Sequence, residues 1–261
     1  MIRSLNDLKN YEYEARDGAI GRVRDFYFDD RTWTVRYVVL ETGRWLFGRR
    51  VLVSPEAIES TDWNARRVRL GLSKQMIEDA PAASTHEPVS TQHIVDLHAH
   101  YGWPLYWTIG PSAMDSAAPV PAIGDLEEPQ DGPASADDIE VHLRSVDEVT
   151  GYSIAARDGA IGSIDDFGCE EASWKIRYLV ADTRKWLPGK RVVLSPDWVE
   201  RIDWREREVR TELHRSRIEQ SPPFDPMRPI NREYEEVLYD FYGRPKYWTE
   251  GGPHAERAQS S

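Results

Sequence analysis

Apolar and polar residues alternate along this chain in short runs, and the runs come round twice. In Trp33-Thr34-Val35-Arg36-Tyr37-Val38-Val39 the apolar Trp33, Val35, Tyr37 and Val39 alternate with mostly polar partners, which predicts a strand with one buried face. An extended run over 20–28 precedes it, across a turn at Asp29-Asp30-Arg31. A loop at Gly43 or Gly48 leads to Arg50-Val51-Leu52-Val53, which Ser54-Pro55 closes. Residues 58–62 and 67–70 read as a final hairpin turning at Asn64-Ala65. Upstream, Asp17-Gly18 sits between β-like runs and marks a two-residue hairpin, a turn that needs positive φ and takes it from Gly. Six short strands at this spacing, joined by polar and Gly-containing turns, predict a small closed or nearly closed barrel filled by its own side chains.

Past the strands the period changes. Ser73 is a cap residue followed by helix formers, and Pro81 stops that run. Further on, Tyr234, Leu238 and Phe241 fall on one face at helical spacing, Asn231 offers an N-cap oxygen, and Gly243 and Pro245 end the helix. That helix is expected to lie against the barrel or against the other copy of the pattern.

The second copy is nearly in register with the first. Arg16-Asp17-Gly18-Ala19-Ile20-Gly21 returns as Arg157-Asp158-Gly159-Ala160-Ile161-Gly162, an offset of 141. The same offset carries Trp33 onto Trp174, Trp45-Leu46 onto Trp186-Leu187, Ser54-Pro55 onto Ser195-Pro196, and Tyr106-Trp107-Thr108 onto Tyr247-Trp248-Thr249. No gap is needed from Arg3 to Gly110, and roughly 40 % of aligned positions are identical, so this is an internal repeat. The expected domains are therefore repeat one over 1–110, a linker over 111–143, repeat two over 144–251 and a disordered tail over 252–261.

Charge sharpens the boundary. The chain carries a formal −12, but Asp115, Asp125, Glu127, Glu128, Asp131, Asp137, Asp138 and Glu140 cluster with Pro111, Pro119, Pro121, Pro129 and Pro133 in a stretch without Lys or Arg. Such a segment buries no core and reads as a solvated linker. The repeats themselves are close to neutral, which argues against nucleic acid as a partner. The single cysteine, Cys169, aligns with Phe28 and so behaves as a buried apolar residue. With no disulfide framework, a reducing compartment is expected. Met1-Ile2-Arg3-Ser4 enters the repeat at once, leaving no room for a signal peptide, and apolar runs fall short of a membrane span. The expected location is cytoplasmic, with attachment at the periphery of the inner membrane as the alternative.

Candidate chemistry is sparse. No Gly-rich phosphate loop, nucleophile elbow or zinc-protease helix is present. His86, His93, His98 and His100 form the one metal-like cluster, but they align with Met227, Tyr234, Tyr239 and Phe241, and helical spacing sets His98 apart from His93 and His100. Aromatic-like packing is the better reading of them, and no cofactor or metal is expected. The repeated acids Asp17, Asp25, Glu59, Asp62 and Glu78 read mainly as caps of turns and helix starts. More suggestive are repeated apolar pairs outside the strands. Trp45-Leu46 and Trp186-Leu187 either plug a barrel end or anchor a partner, and Tyr106-Trp107 and Tyr247-Trp248 either pack back on the repeats or present an aromatic surface.

The order of these features resembles the PRC-barrel domain. The resemblance rests on the Arg16-to-Gly21 hairpin, the run Val23-Arg24-Asp25-Phe26-Tyr27-Phe28-Asp29, the Trp33 strand, and Arg49-Arg50-Val51-Leu52-Val53 before Ser54-Pro55. It covers about the first 70 residues of each copy. It implies two tandem six-stranded β-barrels, each followed here by a helix and an aromatic tail, used as interaction or assembly modules. In the photosynthetic reaction-centre H subunit such a domain caps a membrane complex and supports proton delivery to a quinone; in a ribosome-maturation factor it docks on a ribosomal protein. The expected function is thus a non-enzymatic interaction module for a protein partner, with an accessory role in a membrane electron-transfer complex as the alternative and a histidine metal site or hydrolase between the copies as a third. The copies are expected to pack on each other through Tyr106-Trp107 and Tyr247-Trp248; alternatively the tails wrap only their own barrel, or swap into a second chain to make a homodimer.

Overall fold

The computed structural model describes residues 1–43, 46–81, 89–106, 142–183, 190–226 and 228–249. It is mainly β. Repeat one contributes β1 (Ile2–Ser4), α1 (Leu5–Leu8), β2 (Glu12–Ala15), β3 (Gly18–Asp29), β4 (Thr34–Thr42), β5 (Arg50–Val53), β6 (Ile58–Asp62), β7 (Arg67–Leu70), α2 (Lys74–Glu78) and α3 (Thr91–Tyr101). Repeat two contributes β8 (Leu143–Ser145), α4 (Val146–Val149), β9 (Ser153–Ala156), β10 (Gly159–Glu170), β11 (Ile176–Asp182), β12 (Arg191–Leu194), β13 (Val199–Asp203), β14 (Glu208–Thr211), α5 (Arg215–Glu219) and α6 (Arg232–Tyr242). Each repeat lays six of its strands in one path, β5-β4-β3-β2-β7-β6 and β12-β11-β10-β9-β14-β13. The seventh strand of each sheet comes from the other repeat: β1 pairs with β10, and β8 pairs with β3. Among the described residues no ladder joins the two ends of either path, and no helix is long and apolar enough to cross a membrane.

The chain divides into two compact units that cut across the repeats. Unit 1 holds Met1–Asn10, Asp25–Arg36 and Arg144–Ser261; unit 2 holds Tyr11–Arg24 and Tyr37–Leu143. In unit 2, β2 runs parallel to β7 with Tyr13 opposite Val68, and antiparallel to β3 with Tyr13 opposite Gly21. Alternation points Tyr13, Val68 and Leu70 inward, where they are buried together with Ile20, Tyr37, Leu52 and Leu97. Asp17 closes the hairpin and also accepts from the Lys74 backbone N–H at 2.8 Å, so the turn residue caps α2. Ser90 caps α3 by accepting from His93 N–H, and Gly102 ends it in the left-handed conformation.

Unit 1 is built from both repeats. β1 lies antiparallel on β10, with Ile2 opposite Glu170 and Ser4 opposite Gly168, and its other edge bridges Ile2 to Ile230. Close by in sequence, Val35 N–H donates to the Trp174 carbonyl at 2.9 Å and Ile176 N–H to the Trp33 carbonyl at 2.6 Å. Trp33 and Trp174 occupy equivalent positions and both have positive φ, 57° and 55°. Such a conformation is costly for an aromatic residue. Both indoles are half-buried, and the stacking of Trp33 on Phe28 and the tilted contact of Trp174 with Phe26 offset part of that cost. α6 starts behind Asn231, which accepts from Tyr234 N–H, and ends at Gly243 with φ 64°.

Candidate functional site

Buried tyrosines at equivalent positions find different polar partners. In unit 2 the Tyr37 hydroxyl donates to His98 Nε2 at 2.7 Å, and His98 Nδ1–H donates to the Pro104 carbonyl at 2.7 Å. Burial holds the His98 imidazole below the usual histidine range, the hydrogen bond to Pro104 opposing it. Both ring nitrogens are thus engaged, and the ring packs edge-on against Tyr37 and Trp103. Tyr106 leans on both Tyr37 and His98. In unit 1 the equivalent Tyr178 donates to Glu235 Oε1 at 2.7 Å. Tyr247 donates to the same oxygen at 2.8 Å, and Arg232 pairs with Glu235 Oε2 at 3.0 Å. Burial drives the Tyr178 and Tyr247 phenols well above the usual tyrosine range, so both stay protonated donors. Arg177 stacks over the Tyr247 ring and Arg232 over Trp248, at 4.0 and 4.1 Å.

The other sequence candidates separate. His100 Nε2–H donates to the Met76 carbonyl, and His93 lies half-buried on α3. Among the described residues no three His, Cys, Asp or Glu side chains are placed to share a metal ion. Tyr106, Tyr247 and Trp248 are half-buried, each within its own unit. Trp45, Trp107, Trp186, Leu187 and His86 lie outside the described residues. Leu46 is half-buried, and the residue after it is not: Phe47 is 98 % exposed. Hydrogen bonds tie together the described residues of its loop. Gly48 N–H donates to the Gly43 carbonyl and Arg49 N–H to that of Leu46, while the Thr42 hydroxyl donates to the Arg49 carbonyl at 2.8 Å. Phe47 and Gly48 both have positive φ.

A third arrangement joins the repeats inside unit 1. Ser4 Oγ donates to Asp166 Oδ2, and Ser145 Oγ donates to Asp25 Oδ2, both at 2.5 Å. The second carboxylate oxygens accept from backbone: Asp166 from Asn6 at 3.1 Å and Phe167 at 2.7 Å, Asp25 from Asp147 at 3.0 Å and Phe26 at 2.8 Å. Each serine also caps the short helix behind it, Ser4 accepting from Asp7 N–H and Ser145 from Glu148 N–H. Every bond in this pair of clasps has its counterpart 141 residues away.

The PRC-barrel domain family model matches residues 3–74. Residues 3–74 are a PRC-barrel domain. The match opens on Arg3 and Ser4 and closes at Lys74, the first residue of α2. The sequence of that PRC-barrel domain returns at the offset over 144–215, which ends at Arg215, the first residue of α5. No curated protein matches the chain.

Two features of the PRC-barrel domain were missed in the sequence. Phe47 has no equal in repeat two, where Pro188 stands, so attention to repeated residues passed it by. Asp25 was grouped with acids at turns, whereas it is buried within β3. The signal was available: Asp25 and Ser4 are each identical to their counterparts, and a carboxylate in mid-strand has no local turn to cap.

The clasps also predict a pH dependence. Burial raises the Asp25 and Asp166 carboxyls above their ordinary 3.8, with Asp147 and Asp165 adding repulsion. Those two neighbours are themselves paired, Asp147 with Lys9 and Asp165 with Arg191. A raised folded-state value means that folding takes up protons above 3.8. The stabilisation is complete below 3.8 and is lost as pH rises through the folded value. The double variant Asp25→Asn, Asp166→Asn keeps one oxygen to accept from the backbone N–H groups, turns the other into an NH2 donor facing the serine Oγ, and removes the charge. It should be more stable than the parent at neutral pH, with the gap closing as pH falls. Urea midpoints at neutral and acidic pH measure this; a gap that widens in acid would refute it.

Proposed function

We propose that this chain is a non-enzymatic interaction and assembly module in which two PRC-type barrels present related surfaces to a protein partner. On this reading the six-strand path of each repeat is a small barrel, with the helix and aromatic tail behind it sealing one end. The polar groups of the aromatic clusters serve internal packing: the Tyr37, His98, Tyr178 and Glu235 side chains spend their hydrogen bonds on one another and on backbone.

The observation that carries the reading is Phe47. A fully exposed aromatic on a turn held by three hydrogen bonds contributes nothing to folding. Seated in a partner's pocket, its ring would remove enough apolar surface from water to contribute about 2–3 kcal/mol. The rigid turn lowers the entropy lost on binding. A photo-crosslinking residue at position 47 of the full chain, expressed in its native cell, should yield a discrete adduct. Phe47→Ser should bind the captured partner at least tenfold more weakly while its melting temperature stays that of the parent. Equal binding by parent and variant would refute the anchor, and a captured complex of membrane proteins would make the protein an accessory of that complex.

A further inference from the structure

Each repeat carries both halves of one self-complementary contact. The inserted half is the opening arm, Arg3-Ser4 on β1–α1 or Arg144-Ser145 on β8–α4. The receiving half is Asp25-Phe26 on β3 with Asp30, or Asp166-Phe167 on β10 with Glu171. The arms use them in the same way: Arg3 Nε donates to Glu171 at 2.5 Å and Arg144 Nε to Asp30 at 2.9 Å, alongside the two Ser–Asp bonds. Contacts of this kind, in which the same patch meets itself, are isologous and are how two copies of one chain pair. Nothing in the receiving half distinguishes an arm on its own chain from the same arm on another molecule. Only the tether, by raising the local concentration, favours the arm already attached.

The arm of repeat one is the better candidate to transfer. It is a short element, Ile2–Leu8, and the chain passes from unit 1 to unit 2 just after it, between Asn10 and Tyr11. Its seat is shaped to it. Ile2 is buried, it exchanges two backbone hydrogen bonds with Ile230, and a Cβ added at Gly168 would stand 2.9 Å from its Cγ2. The seat therefore makes room for Ile2 by having no side chain at position 168.

We propose that this chain pairs with a second copy of itself by exchange of the Ile2–Leu8 arm, β1 of one molecule seating on β10 of the other. The proposal rests on the interaction-module reading and names one partner for it. Intrachain seating dominates in dilute protein, and exchanged dimers accumulate when arms reseat at high concentration.

The β1–β10 register supplies the test. Arg3 lies directly opposite Cys169, the chain's single cysteine. Opposed residues of an antiparallel pair hold their Cα atoms about 4.5–5.5 Å apart, within the range a disulfide spans. Full-length Arg3→Cys is unfolded, refolded over a concentration series, oxidised and run on a non-reducing denaturing gel. An intrachain disulfide is expected in dilute samples, with a disulfide-linked dimer whose share rises with concentration. Arg3→Cys, Cys169→Ser should lose both species, which rules out bonds between two arm cysteines. An intrachain product alone across the series, or no disulfide from folded protein, would overturn the proposal. Because the substitution removes the Arg3–Glu171 pair, sedimentation velocity of the parent protein on the same refolding series gives a second reading, and monomer throughout would also overturn it. Neither result bears on the Phe47 surface, so failure here leaves the module reading to its own experiment.

Discussion

Gly162→Ala should unfold the protein or leave it barely stable. An ideal Cβ at Gly162 would stand 2.0 Å from the Asp182 carbonyl oxygen and 2.9 Å from its carbon. Both atoms are backbone, so no side chain can swing aside. Relief requires β10 and β11 to part where Ser163 pairs with Asp182, breaking the ladder at its end. Overpacking of a core by side chains costs about 1–3 kcal/mol. Here the obstacle is a strand, and ~3 kcal/mol or more is expected, a large share of a typical net stability of about 5–15 kcal/mol. Gly21→Ala should behave alike in the other unit, since its Cβ would stand 2.0 Å from the Glu41 carbonyl oxygen. Gly102→Ala is the control. It also has positive φ, 70°, but nothing lies within 4 Å, so only the conformational cost of about 1 kcal/mol remains. Urea unfolding ranks the three, and a Gly162→Ala midpoint no lower than that of Gly102→Ala would show that the strands are not so close.

Glu235→Ala should cost about 3–5 kcal/mol, the next largest effect. The residue is 2 % exposed, and its side chain accepts from Tyr178 and Tyr247 while pairing with Arg232. Its removal takes the carboxylate acceptor from the wholly buried Tyr178 hydroxyl and from the Tyr247 hydroxyl, and leaves a void where a buried side chain stood. Glu235→Gln retains one acceptor oxygen and should lose about half as much. Because Trp248 packs on Tyr239 and Tyr247, the alanine variant should also shift Trp fluorescence and weaken the near-UV circular dichroism. An unchanged spectrum with a loss below about 1 kcal/mol would show that the phenols find other acceptors. Repeat one solves the same problem differently. Ile94 stands at the position equivalent to Glu235, and His98 on the next turn of α3 accepts from Tyr37 instead.

What could be read in the sequence was local. β5, β6 and β7 coincide with the runs that alternation and turn residues marked, because each is bounded by its own punctuation: Ser54 accepts from Glu56 N–H after β5, and Asp62 accepts from Asn64 and Ala65 between β6 and β7. The hairpin was legible for the same reason, although its two turn residues are Arg16 and Asp17, and Gly18, with φ 137°, opens β3 opposite Ala15. β1 and β8 were not, since a three-residue strand has no period and owes its existence to a partner in the other repeat. Gly21 and Gly162 were visibly repeated, but their reason is a carbonyl on the neighbouring strand, a distance that no local pattern encodes. His98 was read as a residue tolerated in place of Tyr239. It does pack like one, against Tyr37 and Trp103, and its second role as an acceptor appears only once α3 is laid beside β4. Among the candidates, the tail aromatics Tyr106, Tyr247 and Trp248 stand out because they recur; Phe47, the exposed residue proposed above as an anchor, does not, because Pro188 stands at its equivalent position.

The position of β1 also bears on synthesis. Arg3 and its partner Glu171 are 168 residues apart in the chain. At about 5–20 residues per second, a ribosome needs on the order of ten to thirty seconds to make the second after the first. For that interval the emerging arm has no seat, and the receiving half on β3 has no arm. Neighbouring ribosomes on one message hold nascent chains in the same half-finished state, close together and with complementary parts exposed. The pace of translation between the two repeats therefore sets how long an arm waits before its own chain supplies the seat, and, on the exchange proposed above, how many molecules would pair while still being made.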